Sequence, residues 1–189
     1  MKTRLLFNSE LISTFLKKLR NDGILFILWG WIAFINYFFL NYLTSVFISS
    51  YQIMLIVGPL RVILPIMGFA FTLYYLLKQP KTYMGVSLRY VWFSYFVCLV
   101  LVNLIQYNVL KSINFELQHP VFMVLTAFAI TITGVILRYK MIIAGGIIFG
   151  LLAYIASYFK LQEQILIEAI AWVIAFIIPG HFLCSRRNR

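Results

Sequence analysis

The sequence predicts an all-α polytopic transmembrane bundle of six helices, and three observations carry that expectation. Apolar residues make up 63% of the chain and charged residues 11%, against roughly 45–50% and 25% in soluble domains. The apolar residues gather in runs close to the ~20 needed to cross a ~30 Å hydrocarbon core. The lysines and arginines fall mostly between these runs.

The expected spans are 24–47, 53–77, 88–110, 120–137, 141–159 and 164–183, within one domain of residues 23–185. The second carries Arg61 and Pro65. The third holds Asn103 and Gln106, and the fourth is rich in threonine and begins at Pro120. Basic residues are retained on the cytoplasmic side, and this fixes an orientation. With the N-terminus inside, thirteen of the sixteen Lys and Arg fall on that side, in segments that contain Lys17, Lys78, Arg138 and Arg186. Lys111 and Lys160 lie opposite, and Arg61 is left at depth. Six crossings with both termini cytoplasmic satisfy this count; an odd number does not. The inner membrane of a bacterium is expected, since outer-membrane spanning proteins are usually β-barrels.

Residues 1–22 form a basic leader and 186–189 a basic cytoplasmic tail. In the leader Leu11, Ile12, Phe15, Leu16 and Leu19 recur at helical spacing among Lys17, Lys18 and Arg20. This pattern reads either as a short interfacial helix on the cytoplasmic leaflet or as a merely basic leader. The run from Ile24 is longer than a signal-peptide core and has no small-residue cleavage site, so the leader is expected to stay attached. The net charge of +11 is placed to meet anionic headgroups, not nucleic acid.

Trp29-Gly30-Trp31, Pro65-Ile66-Met67-Gly68, Lys81-Thr82-Tyr83, Ala144-Gly145-Gly146 and Ile178-Pro179-Gly180-His181-Phe182-Leu183 together resemble an uncharacterised family of small bacterial membrane proteins with six predicted helices. The resemblance implies a fold and a location, with no catalytic residues to carry over. Arg61 lies outside all of these motifs.

An ionisable side chain at membrane depth costs roughly 2.5–3.5 kcal/mol on insertion scales and so marks a candidate site. Arg61 and Glu168 are the two, and helical rise places Asn41, Asn103, Gln106 and Thr126 in the same outer half of the bundle. Three readings of this polar cluster are open. The side chains satisfy one another between helices; they line an outward cavity with Glu168 as counter-ion to Arg61; or both charges snorkel to the interface. Gly146, Gly150, Ala153 and Ser157 present small residues on one face of the fifth helix, which permits close helix packing.

No enzyme is expected. HExxH and a glycine-flanked serine beside histidine are both absent. Cys98, Arg138 and His181 are the residue types of an exosortase-type transpeptidase, but their depths separate them. His119 near the outer mouth and His181 at the inner end cannot share a metal, and no cofactor is implied. Trp29, Trp31, Trp92 and Trp172 read mostly as interface-belt residues, and Pro179-Gly180 as a helix stop. The leading expectation is a non-enzymatic accessory or regulatory membrane bundle that contacts lipids and a protein partner or second copy. The alternative is a small transporter built around Arg61 and Glu168.

Overall fold

The computed structural model describes residues 23–47, 51–77 and 83–185. The leader with its candidate surface helix, the 186–189 tail and Lys81-Thr82 lie outside them. The described chain forms six helices. Helix α1 covers residues 23–47 and opens into a π-helical segment at Ile35–Leu43 before a last α turn at Thr44–Phe47. The next four are α2 (Tyr51–Leu77), α3 (Tyr83–Leu110), α4 (Phe115–Leu137) and α5 (Lys140–Ala156). Helix α6 (Leu161–Ser185) contains a second π segment at Val173–Ile177. All but α5 are long and apolar enough to cross a bilayer. At 17 residues, α5 rises about 25 Å.

Several expected boundaries move, because hydropathy marks the lipid-facing stretch of a helix and not where its hydrogen bonds begin. Helix α3 starts at Tyr83, ahead of the expected 88. Helix α4 starts at Phe115 rather than Pro120, because Asn114 is extended and its side chain accepts the Leu117 N–H as an N-cap. Pro120 then falls inside the helix. Helix α5 stops at Ala156, and 157–159 form the turn into α6.

Pro179-Gly180 does not stop α6, which continues to Ser185. A proline ring opposes the carbonyl four residues back, here Ala175, and the helix accommodates this by widening over Val173–Ile177. The Ile178 N–H consequently reaches Val173 O, five residues back. Gly180 is required for contact instead, since a Cβ there would come 2.7 Å from the Ile27 side chain of α1.

The core lies among α4, α5, α6 and the start of α1. Met123, Ile130, Ile142, Phe149, Ala171 and Ala175 are fully buried there. Helices α4 and α5 form a hairpin closed by Arg138 in the left-handed region, with the Tyr139 N–H returning to Gly134 O. The hairpin is tight because small residues face each other. A Cβ on Gly146 would lie 2.3 Å from Thr131 Oγ1, and one on Gly134 would lie 2.7 Å from the Ile143 nitrogen. Gly150 also faces α4 at Ala127, and Ala153 is buried. Ser157 departs from the expected packing face: it is exposed beyond the helix end, bonded to Tyr154 O.

Trp172 is not a belt residue. It is buried against Phe149 and Phe176, and Trp92 packs edge-on to the same Phe176. Trp29 donates to Thr72 of α2. Trp31 alone of the four is exposed.

Candidate functional site

The polar residues expected to form one layer separate into three groups, each held between different helices. The first joins α1 and α2. Pro65 has no N–H, so the Arg61 carbonyl four residues earlier lacks its intrahelical donor, and the Asn36 side chain supplies one at 2.9 Å. Arg61 returns the contact. Its Nε donates to Leu40 O at 2.8 Å and its Nη2 to Thr44 Oγ1 at 2.8 Å, inside and just past the π segment of α1. Asn41 donates to both the backbone and side-chain oxygens of Asn36. Residues five apart do not face each other on an α-helix; the wider π turn brings them together. Arg61 therefore stabilises an irregular stretch of backbone, as non-helical geometry at membrane depth requires.

The second group joins α3 to the start of α4. Asn103 bonds Leu99 O and accepts from Gln118 Nε2 at 2.6 Å, and buried Gln106 donates to Asn114 O.

The third group is buried among α1, α3, α4 and α6. The Glu168 carboxylate is 2% exposed. One oxygen lies 2.7 Å from His119 Nδ1, and the other accepts from the Trp172 indole at 3.4 Å. The Tyr37 ring, from the π segment of α1, sits edge-on to His119 beside the same carboxylate. Next to them Tyr95 of α3 shares a hydrogen bond with Thr126, whose hydroxyl also bonds Phe122 O.

Glu168 thus pairs with His119, and Arg61 is not its counter-ion. Both charges lie within long apolar helices, but their side chains turn to different neighbours. Sequence reasoning missed His119 and Trp172 as partners of Glu168, Tyr37 beside His119 and Tyr95 as the partner of Thr126. One signal was available: His119, the fifth residue of α4, and Glu168, the eighth of α6, both begin from the same end of the bundle. By helical rise they lie about 6 and 10 Å in, close enough in depth to pair.

Two surface clefts flank α3 and α4. One, of about 350 Å³, is lined by residues including Tyr90, Ser94, Tyr95, Cys98 and Phe128. The other, of about 270 Å³, includes Val102, Gln106 and Gln118. Both are walled mainly by apolar side chains, and neither is lined by Arg61 or Glu168. Among the described residues no three His, Cys, Asp or Glu side chains gather as a metal site. Cys98 is an exposed free thiol on α3, away from His181, whose ring bonds Ile177 O at the far end of α6.

These features define an all-α helical bundle with the helices of a multi-pass membrane protein. No family model, curated protein or solved structure matches the chain.

Proposed function

We propose that this protein is a non-enzymatic accessory or regulatory component of a bacterial inner membrane. It crosses six times with both ends in the cytoplasm, and works through contacts with lipids and with a protein partner or second copy. The observation that carries this reading is that Arg61, Asn103, Gln106 and Glu168 each turn to a neighbouring helix or its cap and not to a shared cavity. Arg61 holds the α1 π segment, Asn103 and Gln106 hold α4, and Glu168 holds His119. A transporter around Arg61 and Glu168 would instead call for polar groups turned toward a shared cavity. The orientation follows the basic residues: Lys111 and Lys160 lie in the connections at one end, Arg138 in the turn at the other and Lys140 at the first residue of α5 beside it.

The test is thiol accessibility. Single cysteines at positions 61, 103 and 168, in a background free of Cys98 and Cys184, are probed from outside with a membrane-impermeant reagent. Silence at all three, with loop controls labelled, is expected of a sealed bundle. Strong labelling would replace this reading with the transporter.

A further inference from the structure

Glu168 is an acid that burial should exclude. A carboxylate removed from water is tolerated only when paired and hydrogen-bonded. Its hydrogen-bond partners are His119 from α4 and Trp172 from α6 itself, and Tyr37 of the α1 π segment packs on His119 beside them. Tyr37 and Trp172 are neutral and cannot cancel its charge. His119 can. With Nδ1 turned to Glu168, its Nε2 makes no hydrogen bond among the described residues, and the side chain keeps 20% of its exposure against 3% for Glu168. The imidazole therefore touches the buried acid with one nitrogen and stays partly exposed, on the fifth residue of α4, near the end of the bundle where α4 and α6 begin.

We propose that His119 and Glu168 form a proton-binding site open at that end, whose occupancy sets how firmly α6 holds α4 and the π segment of α1. The balance is simple. In the empty state neutral His119 donates Nδ1–H to the Glu168 carboxylate, and the site carries one negative charge. A proton from water binds Nε2, giving imidazolium against carboxylate with no net charge and a stronger hydrogen bond. The groups facing Glu168 from the packed helices are Tyr37 of α1, Tyr95 of α3 and His119 of α4. From α5, Phe149 packs on Trp172. The charged residues of that end, Lys111, Glu116, Lys160 and Glu163, are exposed, so no other buried cation neutralises the acid among the described residues. The π segments suit a regulated contact, since widened turns recur at functional positions, and Tyr37 lies in one while Trp172 directly precedes the other.

The proposal deepens the regulatory reading above, yet it is tested independently of it. The chain has two histidines, so full-length protein labelled with ¹⁵N-histidine and ¹⁵N-tryptophan in detergent micelles gives two sets of ring signals, assigned with His181→Gln. Across about pH 5 to 8, the interval in which histidine titrates, the His119 ring signals and the Trp172 indole signal should shift together. In the near-isosteric Glu168→Gln the Trp172 response should be lost. His119 signals that stay constant over the range, or a Trp172 response that persists unchanged in Glu168→Gln, would overturn the proposal. The wild-type titration is informative even if the variant fails to fold. Thiol labelling of positions 61, 103 and 168 is a separate result: a site that titrates in a sealed bundle and one that titrates beside a cavity are told apart by it.

Discussion

Two halves of this molecule are built to different rules. Helices α4, α5 and α6, with the first half of α1, pack through glycine, alanine and buried aromatic rings. In α4 and α6 about half of the most apolar stretch is buried within the bundle, 50% and 56%. Helices α2 and α3 are as apolar, yet only 11% and none of theirs is buried, and Ile56, Phe93 and Val109 point outward. In water this surface would be an aggregation hazard. In a bilayer it faces hydrocarbon at little cost, so apolar composition says nothing about which helices touch. Small residues and hydrogen bonds decide that, and they are concentrated in the first half.

That contrast can be broken from either side. The largest effect is expected at Glu168. Glu168→Ala leaves a void beside His119 and Tyr37 and takes the acceptor from the His119 ring and the Trp172 indole, and each buried donor left unsatisfied costs about 1–3 kcal/mol. A fall in thermal midpoint no larger than that of a surface substitution would show that the pair contributes little cohesion. Next comes a matched pair of glycine replacements. Gly146→Ala drives a methyl to 2.3 Å from Thr131 Oγ1 and 2.8 Å from the Thr131 nitrogen, so about 1–3 kcal/mol of overpacking is expected. On α2, Gly58 has nothing within 4 Å, so Gly58→Ala should be neutral or stabilising by up to about 1 kcal/mol through helix propensity. Equal effects of the two in a detergent melt would erase the distinction between the halves.

The smallest effect sharpens the comparison where the halves meet. Asn36 stands in for the amide that Pro65 lacks. Asn36→Leu should therefore cost about 1 kcal/mol in the wild-type background. Pro65→Ala, which gives Arg61 O an intrahelical donor again, should remove most of that cost. A double-mutant cycle measures this coupling, and a coupling near zero would mean that Asn36 does not serve the proline gap.

The Glu168–His119 contact shows how far depth alone can reach. Arg61 and Glu168 were visible as charges within apolar runs, and Asn41, Asn103, Gln106 and Thr126 as polar residues within them. Their positions along the helices were legible, but their grouping was not. Depth is one coordinate, and partnership also needs the rotation of each helix and the order of helices around the bundle. Arg61 turns to α1 because Leu40 O and Thr44 are there to accept, while Glu168 turns to α4, where His119 waits at similar depth. Trp172 shows the same limit. An indole is equally suited to an interface or to a buried carboxylate, and only its neighbours distinguish the two.

By itself the amino-acid sequence determined the all-α class, the number of helices and the position of most of their ends, because lipid demands long apolar segments with internally satisfied backbones. It also marked Gly146 as a place of close packing and put Pro65 inside the second apolar run. Tertiary structure alone decided the π segment of α1, the use of Arg61 as a backbone clamp and the pairing of Glu168 with His119. Each of these depends on a side chain or carbonyl supplied by a different helix, and no periodicity within one helix records what the next one offers.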